Sequence, residues 1–139
     1  MEEYTRKVQY YETDKMSFAH HSNHIRWFEE ARLDFMDKIG VPYKSLEDMG
    51  FYCPVLSVEC EYKKSIHFDD RIKIQVWLSE QGNVRHSFSY KIVDAKTGEE
   101  YASGKTGHCF LNKEGHVISL KKKAPELYEK FSSYVESND

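Results

Sequence analysis

The spacing of apolar residues changes from steps of three and four to steps of two along this chain, and the change separates helix from strand. From Asn23 to Lys38 the residues Ile25, Phe28, Ala31 and Phe35, continued by Ile39, recur at the spacing of one buried helical face. Ser22 or Asn23 can supply the oxygen that caps such a helix, and Gly40-Val41-Pro42 closes it. A further turn of helix is predicted over Tyr43 to Asp48, ended by Gly50. Strand-like runs follow at Val55 to Tyr62, Arg71 to Ser79, Val84 to Val93 and Tyr101 to Leu111. Turn-forming segments such as Gln81-Gly82-Asn83 and Lys96-Thr97-Gly98 separate the later runs. Ile72, Ile74, Val76 and Leu78 alternate with polar or aromatic partners, as do Phe88, Tyr90 and Ile92, so each strand buries one face. Val8, Tyr10 and the residues through Glu12 also have strand character.

The buried sheet face needs a cover. The helix of Asn23 to Lys38 is the only long apolar-faced element before the tail, so the pattern implies an α+β unit, an antiparallel sheet curled around that helix. An amphipathic piece from Pro125 to Val135 is expected to pack at its edge as a C-terminal helix. At 139 residues, with no repeat, low-complexity segment or linker, residues 1–139 are expected to form a single domain.

Composition removes several function classes. Twenty basic against 23 acidic residues give a formal charge of −3 without a broad basic face, which argues against duplex nucleic acid. No run approaches the roughly 20 apolar residues of a membrane span, and the N-terminus is too charged for a secretory core, so a cytoplasmic location is expected. Cys53, Cys60 and Cys109 are odd in number and widely spaced, which favours buried thiols over disulfides or a metal knuckle.

Candidate chemistry concentrates where a polar loop meets the first helix. The opening turn of a helix leaves N–H groups without intrahelical partners at the positive end of the macrodipole, which suits a developing oxyanion. Asp14 lies just upstream, where a base could face those groups; its ordinary alternative is to cap a turn or pair with Lys15. His20 and His24 stand four apart, yet no glutamate or third histidine follows at zinc-protease spacing, so no metal is expected. Glu29 and Glu30 read as solvated or interface charges, Glu30 within reach of Arg26. Arg32 can bury its stem beside Phe28 while pairing with a carboxylate.

The stretch from Tyr10 to Arg32, an aromatic segment, Asp14, a seven-residue step to His21, then Ser-Asn-His-Ile-Arg-Trp-Phe-Glu-Glu-Ala-Arg, resembles the signature of 4-hydroxybenzoyl-CoA thioesterase-like proteins of the hotdog fold. The resemblance implies an acyl-CoA thioesterase without cofactor, in which Asp14 acts as general base or nucleophile and the His21 N–H polarises the thioester carbonyl. Ser17 stands where that family usually has glycine, and His24 where it often has tyrosine, which gives His24 a place in the substrate pocket. Arg85 and His86, leading directly into Ser87, are similar to the family's basic pair at the start of a strand that contacts the nucleotide, which makes these three residues substrate-binding candidates. Lys121 to Lys123 form a second cationic candidate, and Ser103, Gly104 and Thr106 are candidates for close approach to the substrate. The resemblance further implies a homodimer or homotetramer. The alternatives are release of acyl chains from acyl carrier protein and a non-catalytic acyl-CoA-binding dimer.

Overall fold

The computed structural model describes residues 3–136. Its elements run β1 (Tyr4–Lys7), a 3₁₀ turn (Tyr10–Glu12), α1 (Ser22–Lys38), α2 (Tyr43–Asp48), β2 (Val55–Tyr62), β3 (Arg71–Gln81), β4 (Arg85–Asp94), β5 (Glu100–Leu111), β6 (Val117–Ile118), α3 (Leu120–Lys123) and α4 (Pro125–Ser133). One antiparallel sheet has the order β1-β3-β4-β5-β2, with β6 paired to the end of β5. This is the hotdog fold: α1 lies on the sheet face formed by Ile72, Ile74, Leu78, Phe88, Tyr90 and Ile92, all buried in one cluster with Trp27, Phe28, Ala31 and Phe35.

Three sequence expectations change. The segment Tyr10–Glu12 is a 3₁₀ turn, not strand, because Glu12 folds back so that its carboxylate accepts the Gln9 N–H at 2.8 Å. Neither Ser22 nor Asn23 caps α1. The His20 ring accepts the Ser22 N–H, and the Asn23 amide donates to the Glu12 carbonyl at 2.7 Å. Ile25 is 41% exposed, because the buried stripe of α1 is turned toward Asn23, His24, Trp27 and Phe28.

The contact between α1 and the sheet is closest at Phe28, whose ring stacks on Tyr90 at 4.4 Å and 15°. Gly104 of β5 lies under that ring, and a Cβ there would stand 2.3 Å from Phe28 Cε2 and 2.7 Å from the Glu59 carbonyl. Gly104 therefore supports core packing and is covered by Phe28. Gly104→Ala is expected to destabilise the protein by about 2–3 kcal/mol through overpacking. Urea denaturation checks this; a loss below about 0.5 kcal/mol would mean that helix and sheet separate easily.

Both outer strands of the sheet, β1 and β2, have one unpaired side. On β2 the residues Val55, Leu56, Val58 and Tyr62 are all exposed, an apolar surface along an unpaired edge. Among the described residues no helix is long and apolar enough to cross a membrane.

Candidate active site

The segment between the 3₁₀ turn and α1 folds into a tight loop. Thr13 faces Ala19, and the Asp14 N–H donates to the Phe18 carbonyl at 2.8 Å, so Lys15, Met16 and Ser17 form its tip. Ser17 has a φ of 65°, the left-handed conformation for which glycine is the default residue. The loop thus keeps a glycine-type backbone without the glycine. From outside, the Ala19 N–H is held by the Ile66 carbonyl at 2.7 Å.

Within this loop Asp14 uses one oxygen and leaves the other free. Oδ1 accepts the Met16 N–H at 2.8 Å and the Phe18 N–H at 3.2 Å, while Oδ2 has no hydrogen bond among the described residues. The ordinary role, capping a turn, is therefore present, and it orients the carboxylate. Asp14 is exposed in the isolated protomer.

A dense network fixes the loop against the helix. Buried Glu12 accepts from Arg6 and from Trp27 Nε1, each at 2.8 Å, and its backbone carbonyl accepts from the His20 N–H and the Asn23 amide. Burial alone would raise the Glu12 pKa, but the donors from Arg6, Gln9 and Trp27 outweigh it and hold the carboxyl below its ordinary value. Arg6 also pairs with Glu30 at 2.8 Å, and Tyr4 donates to the same Glu30 oxygen, so Glu30 serves the β1 contact in place of Arg26. Glu12→Ala leaves the buried Trp27 N–H without its acceptor and Arg6 with Glu30 alone, and is expected to cost about 3 kcal/mol of stability. Chemical denaturation tests this, and a cost under 1 kcal/mol would show that the network does not hold the loop.

At the start of α1, the His21 N–H meets no acceptor among the described residues, whereas Ser22 and Asn23 donate to His20. The Tyr62 hydroxyl, at the end of β2, donates to the His21 carbonyl at 2.9 Å. Tyr62 also packs edge-on against His24, with ring centroids 4.7 Å apart. Phe18, Ala19, His21, His24, Tyr62 and Ile66 line a cleft of about 300 Å³. Burial pushes His24 down to about 4, so its ring is neutral near pH 7, and burial with the Cys60 contact pushes Tyr62 up to about 12. Tyr62 was not singled out from the sequence; it reads there as one aromatic on a strand. A larger groove of about 660 Å³ runs beside Tyr4, Phe35, Trp77 and Tyr134.

The structure brings His21 and His24 into one cleft, sets Asp14 on the adjoining loop outside that cleft's lining, and puts the other candidates elsewhere. Arg85, His86 and Ser87 begin β4 opposite the far end of β5, roughly 24 Å along that strand from Ala102, the partner of Tyr62. Arg85 is exposed. His86 is buried, its ring between Phe110 at 4.8 Å and His108 at 5.1 Å, so within the protomer it faces the core and not a surface nucleotide. Ser87 is half-buried, with its carbonyl accepting from the Ser79 hydroxyl. Lys121 to Lys123 form the exposed face of α3. His20 and His24 do not share a ligand: Nδ1 of His20 lies 2.8 Å from the Ser22 hydroxyl, and His24 packs on Trp27.

An antiparallel sheet rolled on one long helix, with a carboxylate loop at the helix entrance, defines the hotdog class of thioester hydrolases. Residues 8–133 match the model of the Thioesterase-like superfamily, and the chain belongs to that family. It is 39% identical over 124 residues to a protein of Aquifex aeolicus (strain VF5) named as a presumptive esterase, covering 89% of this chain and 94% of that one. It is 27% identical over 128 residues to a presumptive acyl-CoA thioesterase of Bacillus subtilis (strain 168), covering 89% and 92%. Among solved structures, the DHNA-CoA thioesterase from Staphylococcus aureus superposes with a TM-score of 0.88 at 32% identity, covering 94% of this chain and 88% of that chain.

Proposed function

We propose that residues 1–139 form one hotdog domain that hydrolyses acyl-CoA thioesters to the free acid and CoA in the cytoplasm. The observation that carries this is the Asp14 carboxylate, held at one oxygen by two N–H groups and free at the other, in the loop whose Phe18 and Ala19 line the same cleft as His21, a residue whose N–H has no partner among the described residues. The thioester carbonyl oxygen accepts the His21 N–H, and the Asp14 oxygen takes a proton from water as that water attacks the carbonyl carbon. The tetrahedral intermediate then expels the CoA thiolate, which takes up a proton. Direct attack by the same carboxylate gives an anhydride that water opens, and it uses the same two groups. A cleft of about 300 Å³ fits an acyl group and leaves the nucleotide on the surface.

A homodimer completes this site. Joining β2 to β2 of a second copy about a two-fold axis pairs the unpaired edges and covers Val55, Leu56 and Val58. Antiparallel pairing also sets the Asp14 and Tyr62 end of one protomer beside the Arg85 end of the other. Arg85 would then meet the phosphates of a substrate whose acyl group lies in its partner's cleft, with Lys121 to Lys123 as further point charges. Neutral, buried His24 lines the acyl end.

Names of relatives support CoA esters: the Bacillus subtilis relative is named for acyl-CoA and the Staphylococcus aureus structure for DHNA-CoA. A panel of short, long and aromatic acyl-CoAs, with matched acyl carrier protein thioesters, read by thiol release, tests the assignment. Turnover is expected on at least one CoA class and to be faster than on its carrier counterpart. Preference for the carrier ester would move the substrate to acyl carrier protein, and tight binding without release on every ester would favour an acyl-CoA-binding dimer.

A further inference from the structure

Behind α1, away from the Asp14 loop, lies a small cavity of about 10 Å³ lined by Arg32, Tyr43, Cys53, His86, Phe110 and Phe131. Arg32 is half-buried and, contrary to the sequence expectation, pairs with no carboxylate within 4.0 Å among the described residues. Its Nη1 donates to the Tyr90 hydroxyl at 3.2 Å. A half-buried guanidinium without a counter-charge favours an anionic guest. The groups around it are uncharged: burial pushes the Cys53 thiol up to about 12 and the imidazoles of His86 and His108 down to about 3 and about 4.

The polar groups at this cavity have protons to give and nothing to receive. The Tyr43 oxygen accepts the Cys53 N–H at 3.3 Å, which leaves its hydroxyl proton free. Cys53 Sγ lies 3.5 Å from His86 Nε2; with the protonated thiol as donor in this contact, the proton of the neutral ring sits on Nδ1. That Nδ1 is buried and without a partner. A water molecule would accept from these donors but find no acceptor for its own protons. An acceptor-only guest of atomic size satisfies all of them.

We propose that this cavity binds one small monovalent anion of chloride type, held by the Arg32 guanidinium, the Tyr43 hydroxyl and His86 Nδ1–H. The competing guest is a metal cation, since ligand atoms of Cys53, His86 and His108 lie within 4.8 Å of one another and the Cys53–His86 spacing suits zinc. Charge and ring geometry oppose that guest. Arg32 repels a cation, and the two imidazoles stack at 16°, so their in-plane lone pairs do not converge on one point.

Thermal melts of the full chain at constant ionic strength, in sodium chloride, sodium bromide and sodium gluconate, test the site. Chloride and bromide are expected to raise the Tm saturably, by about 4 °C at ten times the Kd, with gluconate inert and Arg32→Met insensitive to the anion. Crystals grown in bromide are expected to show an anomalous peak at the cavity, which decides the matter if Arg32→Met does not fold. Identical melts in all three salts with no bromide peak would overturn the proposal. So would stabilisation by Zn²⁺ that Cys53→Ser abolishes, which would assign the cluster to a metal.

Discussion

Purified Asp14→Asn is expected to fold, to melt close to the wild-type temperature and to lose about three orders of magnitude in kcat, within the usual range for removing a positioned base. Stability should survive because an asparagine carbonyl oxygen can accept the same two N–H groups, from Met16 and Phe18, that Asp14 Oδ1 accepts. What disappears is the free Oδ2, replaced by an amide that cannot take a proton or attack a carbonyl carbon. KM should change little, since the acyl cleft and the His21 amide are untouched. Alanine is a poorer probe, because it also removes the turn cap and frees the loop tip. Steady-state thiol release with circular dichroism on the same preparations checks both halves. Turnover within tenfold of wild type would remove Asp14 from the chemistry and leave it as a turn cap.

What the sequence made legible follows from the range of the forces involved. The strands β2 to β5 and the extent of α1 are local patterns, and alternation or three-and-four spacing set them within a residue or two of their observed bounds. Asp14 and His21 became the favoured candidates only through the resemblance of the Tyr10 to Arg32 stretch, because spacing by itself does not distinguish a base from a turn cap. The structure places the two in one loop and helix start. Contacts between distant segments were not legible. Glu12 is a charge in the core because its donors come from positions 6, 9 and 27, and the aromatic residues beside it gave the segment a false strand character. Tyr62 joins the site only because β2 ends next to the helix entrance. His86 and His108 become neighbours because the register of β4 with β5 sets them opposite each other, and Cys53 reaches them from the approach to β2. Ile25 carried the right spacing on the wrong side of α1, since its stripe is decided by Trp27 and Phe28 fitting the sheet.

Acid is expected to unfold this protein well above the pH at which carboxylates alone would do so. His24, His86 and His108 are all buried in the neutral form, with burial the leading cause that lowers them to about 4, about 3 and about 4 from an ordinary 6.5. His86 and His108 also face each other and the Arg32 guanidinium, which further disfavours their charged forms. The unfolded chain therefore binds protons that the folded chain refuses. Stability is fully present above pH 6.5 and declines as pH falls from there toward each folded value. At pH 5 each ring held neutral costs about 2 kcal/mol, so the three together remove about 6 kcal/mol, comparable with the whole stability of a domain this size. Glu12 adds a later loss: its depressed pKa contributes stability above the ordinary carboxylate value that disappears as pH falls through the folded one. Thermal melts by circular dichroism in gluconate buffers, where no halide can stabilise a charged His86, should show the Tm falling by about 20 °C between pH 7 and pH 5. His108→Gln should flatten that slope by about a third, because one of the three rings that take up a proton on unfolding is gone. A Tm that stays level from pH 7 to pH 5 would mean that these rings accept protons without leaving the core, and that their burial is looser than the packing of His86 between Phe110 and His108 indicates.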